Sequence, residues 1–80
     1  MDKSYESHIK IYVESENKLN TIYRSLIPEA REPPNPSRVS VSIDKRDEYI
    51  LIRIVSRDLS SLRAGLNTFL YLLSAVLRIL

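Results

Sequence analysis

The sequence predicts an α+β fold. It reads as a three-stranded antiparallel sheet with two helices on one face, in the order β-α-β-β-α. Three observations carry this. Three stretches alternate apolar and polar residues with period two, and two others place apolar residues at helical spacing. The run Arg31-Glu32-Pro33-Pro34-Asn35-Pro36-Ser37 fits neither a helix nor a central strand, and it divides the chain into two halves. At 80 residues the chain has room for one domain, spanning 1–80.

The elements follow in order. Ile9, Ile11 and Val13 alternate with His8, Lys10 and Tyr12, which predicts a half-buried strand. Ser15 is then a natural N-cap, and Glu16 places an acid in the first turn, where the helix dipole favours it. Leu19, Ile22, Tyr23 and Leu26 form one apolar stripe of the first helix. Pro28 is expected to end that helix, because the residue before a proline avoids helical backbone angles. The connecting loop is therefore placed at 29–37. Val39, Val41 and Ile43 face one way on the next strand, with Arg38, Ser40 and Ser42 on the other side. Asp44 to Glu48 is a charged turn, and Tyr49 to Val55 is rich in β-branched residues, so these two strands form a hairpin. Asp58 caps the last helix, expected over Leu59 to Leu80. A right-handed crossover then puts the third strand between the first two, antiparallel to both.

Composition removes several functions. With no cysteine and only His8, neither a disulfide, a thiolate metal site nor a histidine-rich one is available. There is no glycine-rich phosphate loop and no G-x-S-x-G elbow, and no cofactor motif is present. His8 reads as a surface strand residue. Asp44, Asp47 and Glu48 are interleaved with Lys45 and Arg46, which makes a solvated turn rather than a cation site. No catalytic or metal-binding residue is expected, and the chain does not read as an enzyme. Its net charge of +2 is mild and mixed, weak for a protein that grips nucleic acid unaided. The polar, acid-containing N-terminus resembles no signal or transit peptide, so a cytoplasmic location is expected. A chain this small without covalent staples often draws stability from an oligomer or partner.

The last helix carries the functional signal. Leu59, Leu62, Leu66, Phe69, Leu73, Val76 and Leu80 step by three and four, widened by Leu70 and Leu77; this stripe should lie on the sheet. A second stripe, Ala64, Thr68, Leu72, Ala75 and Ile79, sits roughly 130–150° round from the first. Only a narrow strip stays polar, Ser60, Arg63, Asn67, Ser74 and Arg78, with Tyr71 beside it. In a small monomer nothing is left to cover the second stripe. It reads as a seam for a partner helix, with small Ala64 and Ala75 permitting close approach. The competing reading tucks the stripe against the first helix. A membrane span is disfavoured, because Asn67, Ser74 and Arg78 interrupt a stretch already short of ~20 apolar residues. Arg63 either covers apolar surface with its stem or fixes a partner's register.

The segment Asp58-Leu59-Ser60-Ser61-Leu62-Arg63-Ala64-Gly65-Leu66-Asn67-Thr68-Phe69-Leu70 resembles the signature of the CTAG/Pcc family. Ile22-Tyr23-Arg24-Ser25-Leu26-Ile27-Pro28-Glu29 resembles that family's first helix and its exit. Size and element order agree as well. Gly65 departs from the usual Ala, and the chain lacks the charged tail many members carry. Members are the small dimerisation subunit of the KEOPS (EKC) complex, which adds threonylcarbamoyl to an adenosine of certain tRNAs. The resemblance implies a KH-like fold, a homodimer, and two helices packed on helices of the catalytic transferase subunit. Carried over by position, it places Leu62, Arg63, Ala64, Asn67, Thr68 and Phe69 on this helix surface and its supports. The second stripe is the surface the transferase helices would cover, so the expected partner-binding residues are Arg63, Ala64, Asn67, Thr68, Tyr71, Leu72, Ala75 and Ile79, with Tyr23 of the first helix, and tRNA is met only indirectly or weakly. The alternative is an autonomous KH-like RNA-binding module. A single glycine cannot supply the GXXG loop such modules use. The sheet face away from the helices should show His8, Lys10, Tyr12, Ser40, Ser42, Leu51 and Arg53. Of these, Lys10, Tyr12 and Arg53 are candidate tRNA contacts.

Overall fold

A computed structural model describes residues 4–33 and 35–80. The order is β1 (Tyr5–Tyr12), α1 (Glu16–Arg31), β2 (Val39–Lys45), β3 (Tyr49–Ser56) and α2 (Leu59–Ile79). The sheet order is β1-β3-β2, with β3 antiparallel to both neighbours, as the crossover argument requires. Fold class, element order and strand order all agree with the sequence reading.

Alternation sorts the sheet into two faces. Ile50, Ile52, Ile54 and Ser56 of β3 are buried beneath the helices, joined by Val39 of β2. Leu19, Ile22 and Leu26 of α1 and Phe69 and Leu73 of α2 close over them to form the core. Ile9, Ile11, Val41 and Ile43 on the two outer strands point the same way but stay half-buried, because each lies at an open edge. Both predicted caps form. The Ser15 hydroxyl accepts from the Lys18 amide at 3.3 Å, and the Asp58 carboxylate accepts from the Ser61 amide at 2.7 Å.

Two expectations need correction. Pro28 does not end α1, which continues to Arg31 and closes with the Glu32 amide donating to the Pro28 carbonyl at 3.2 Å. The loop is therefore shorter than 29–37. Pro28 removes one amide donor, but it faces solvent, where water can serve the carbonyl it leaves unbonded. Beyond it, Ala30 packs on the core and Pro33 is buried, so tertiary contact holds the extra turn.

The second correction concerns α2. Its buried line is Ser61, Gly65, Phe69 and Leu73, whereas Leu59, Leu70, Leu77 and Leu80, placed on the sheet-facing stripe, are exposed. The helix is rolled toward α1, because two helices share three strands and each must bury its flank against the other. Small residues set the approach at its N-terminal half. A methyl on Gly65 would lie 3.4 Å from Ile54 Cγ2 and 3.5 Å from Val39 Cγ1.

Candidate functional site: the two-helix layer and the open sheet face

α1 and α2 pack side by side and run antiparallel. Leu72 meets Ser25, Pro28, Glu29 and Glu32, while Leu77 and Leu80 lie near Ser15 and Lys18. The predicted seam residues occupy about half the circumference of α2. Tyr71 and Ile79 are 76% and 84% exposed, and Arg63, Ala64, Asn67 and Ala75 are exposed as well. Thr68 and Leu72 are half-buried. Leu72 packs on the core and floors the crevice beside α1, so for this residue the tucked arrangement is the correct one. Arg63, Ala64, Asn67, Tyr71, Ala75 and Ile79 stay uncovered.

The crevice between the helices mixes compact and acidic side chains. Ser25, Pro28, Glu29 and Glu32 of α1 line it, with Leu72 as its floor, while Ala64, Thr68 and Ala75 continue the same flank of α2. The Thr21, Ser25 and Thr68 hydroxyls bond their own helix: Thr21 to the Asn17 carbonyl at 3.0 Å, Ser25 to that of Thr21 at 2.8 Å, and Thr68 to that of Ala64 at 2.9 Å. A covering partner would strand none of these hydroxyl donors, but it would have to pair Glu29 and Glu32 or leave them in water. Tyr23 does not join this surface. It lies about 160° round α1 from Ser25, toward the β2 edge, half-buried against the core. Arg63 has no ion-pair partner among the described residues.

A second apolar flank went unrecognised in the sequence. Leu59, Leu66, Leu70 and Leu77 lie about 60–100° from Phe69, on the opposite side of it from Leu72; only Leu77, at the helix end, also comes near the start of α1. Leu59, Leu70 and Leu77 are each about half exposed. Sequence periodicity merged them with the core because core and flank are contiguous on one helix.

The open sheet face carries the residues expected of it, in cross-strand rows His8–Arg53–Ser42, Lys10–Leu51–Asp44 and Tyr12–Tyr49. Arg53 is not a free cation. Its Nη2 donates to Glu6 Oε1 at 2.6 Å and its Nε to Oε2 at 3.2 Å, and His8 bonds the same carboxylate at 3.1 Å. The Arg53 bonds, then that of His8, hold the Glu6 carboxyl below its usual range, and Glu6 raises Arg53 in turn. Lys10 Nζ sits 5.1 Å over the Tyr49 ring, and Tyr12 tilts against the same ring at 5.2 Å. Lys10 and Tyr12 thus form a small aromatic–cation cluster at one end of the face, apart from the compensated Arg53.

The β3–α2 junction is the most ordered polar region. Asp58 Oδ2 accepts from Arg38 Nη1 and from the Ser61 hydroxyl, both at 3.0 Å, while buried Ser56 donates to the Asp58 carbonyl at 2.9 Å. The Ser61 amide, then Arg38, holds the Asp58 carboxyl below its usual range. This is capping chemistry; nothing there positions a nucleophile or base. No cluster of three or more His, Cys, Asp or Glu side chains among the described residues could hold a metal ion. By length and composition α2 could cross a membrane, but Phe69 and Leu73 are buried against the sheet side, a packing a lipid-embedded helix would forfeit.

Residues 6–80 match the family model described as transcription factor Pcc1. No curated protein sequence matches the chain.

Proposed function

Because the chain belongs to the Pcc1 family, we propose that it is a non-catalytic dimerisation and docking subunit of a KEOPS-type complex, which makes threonylcarbamoyladenosine in tRNA. The observation that carries this reading is the uncovered flank of α2, where Ala64, Tyr71, Ala75 and Ile79 are exposed beside the crevice to α1. Helices of the catalytic transferase subunit would cover it. Ala64, Thr68 and Ala75 set the approach distance, and Tyr71 and Ile79 supply the contact area. Asn67 and Arg63 border this surface as register-setting polar groups. A second copy of the chain would dock elsewhere, leaving this surface open. The two unpaired sheet edges and the leucine flank of α2 offer the surface for it. Such a subunit would act in the cytoplasm, need no cofactor, and meet tRNA only at the periphery, through Lys10 and Tyr12.

The family description names transcription. A DNA-reading helix needs a basic face, and α2 carries only Arg63 and Arg78. An autonomous KH-like RNA module remains the alternative from a different class. It would bind RNA without a protein partner, with affinity falling steeply as salt rises.

Size-exclusion chromatography with light scattering tests the docking reading. The chain alone should run near twice 9.3 kDa. Mixed with the transferase subunit of the same organism, it should shift into a joint species. Ala64→Glu and Ala75→Glu should abolish that species and keep the helical circular dichroism of the parent. Undiminished complex formation by the folded variants would refute the seam.

A further inference from the structure

The end of the sheet where β2 begins and β3 stops holds a notch of about 230 Å³, lined by Arg38, Arg57, Ser4, Ser37 and Ser40 among others. That is several times the ~30 Å³ share of one water. Among the described residues no carboxylate lines it. The hollow at the opposite end, beside Tyr12, is lined by Glu14, Asp47 and Glu48 and by no cation. The two hollows therefore differ in the charge of their lining, although Lys45 and Arg46 flank the acidic one in the hairpin.

The backbone around the basic notch is fixed. The Arg57 amide donates to the Arg38 carbonyl at 3.1 Å, which ties the two arginine-bearing strands together. Asn35, at φ 60, turns the chain so that its carbonyl accepts from the amides of Arg38 at 2.9 Å and Val39 at 3.1 Å. Arg38 gives one N–H to Asp58 and keeps the rest of its guanidinium donors. Asp58 offsets part of the Arg38 charge, but its carboxylate is already taken up by Ser61 and Arg38. Arg57 has no ion-pair partner, and the hydroxyls of Ser4, Ser37 and Ser40 make no hydrogen bond, among the described residues.

We propose that this notch binds a phosphoryl group, with Arg57 and Arg38 as paired guanidinium donors and the serine hydroxyls completing the shell. Guanidinium forks match phosphate oxygens in geometry as well as charge. The group comes either from an RNA backbone or from a free phosphorylated small molecule. Ser40 and Val55 open the notch onto the bare sheet face, so an RNA strand seated there would continue toward Ser42 and Lys10. The proposal is independent of the α2 surface and stands or falls separately from the docking reading.

The test is a ¹⁵N-correlation titration of the full chain with inorganic phosphate, and separately with hexauridylate, at constant ionic strength balanced by chloride. Saturable shifts are expected at the amides of Ser37, Arg38, Ser40 and Arg57. Arg57→Ala, which removes an exposed side chain, should keep the spectrum dispersed and weaken binding about tenfold, the loss of one charge-assisted hydrogen bond. Tighter binding of hexauridylate, with shifts reaching Ser42 and Lys10, assigns the phosphoryl group to RNA. Equal or tighter binding of inorganic phosphate assigns it to a small molecule. Shifts that fail to saturate with either probe, or saturation that Arg57→Ala leaves unchanged, overturn the site.

Discussion

Replacing Gly65 by alanine tests how closely α2 sits on the sheet. Glycine in a helix interior is less favourable than alanine by about 0.8–1.0 kcal/mol. The added methyl would meet Ile54 Cγ2 at 3.4 Å and Val39 Cγ1 at 3.5 Å, the short end of ordinary van der Waals contact. It would bury a methyl group worth up to about 0.8 kcal/mol, less whatever the two neighbours must yield. The sum favours alanine by about 1 kcal/mol, which in a domain of this size raises the melting temperature by about 4–8 °C. Thermal denaturation followed by circular dichroism at 222 nm, at one fixed protein concentration so that association contributes equally, measures it. Gly65→Leu is the opposing arm. Its branched side chain has no room above Ile54 and Val39 and should cost about 1–3 kcal/mol. A clear loss of stability in Gly65→Ala would refute the reasoning, because helix and sheet would then be closer than these distances allow.

Other outcomes follow from the roll of α2 and from its cap. Leu73→Ala should cost about 2–5 kcal/mol in urea denaturation, whereas Leu77→Ala should cost under about 1 kcal/mol; equal losses would return Leu77 to the core. Asp58 has a lowered carboxyl pKa, so its stabilisation is complete above its ordinary value of 3.8 and is lost as pH falls through the lower native value. Asp58→Asn should therefore melt below the parent near neutral pH, and the gap should close on acidification below about pH 4; a gap independent of pH would remove the ionised carboxylate from the cap. Glu6, also lowered, supplies a parallel acid-sensitive contribution that Asp58→Asn leaves in place.

The strands were legible because period-two alternation survives burial of a single face. Ile50, Ile52 and Ile54 are both the periodic residues and the buried ones. The caps at Ser15 and Asp58 were legible because an N-cap is a local contract between one side chain and an amide three residues on. Pro28 misled because its rule is also local, while the turn beyond it is held by the distant packing of Ala30 and Pro33. Of the candidate partner-binding residues, Ala64, Ala75, Tyr71 and Ile79 are exposed. Leu72 and Tyr23 were not separable from them, because apolar spacing says nothing about which neighbour a residue meets. The pairing of Arg53 with Glu6 spans 47 residues of sequence, and only the register of β1 on β3 brings them together.

The sequence by itself determined the elements, their order, their caps and the two faces of the sheet, since each rests on interactions within a few residues or on a fixed period. Tertiary structure alone decided how far α2 rolls about its axis. That roll is a compromise between covering three strands and meeting α1, set by Ser61 and Gly65 being small enough to let the helix descend. It exposes Leu59, Leu70 and Leu77, sinks Leu72, and so fixes which residues are left to meet a partner.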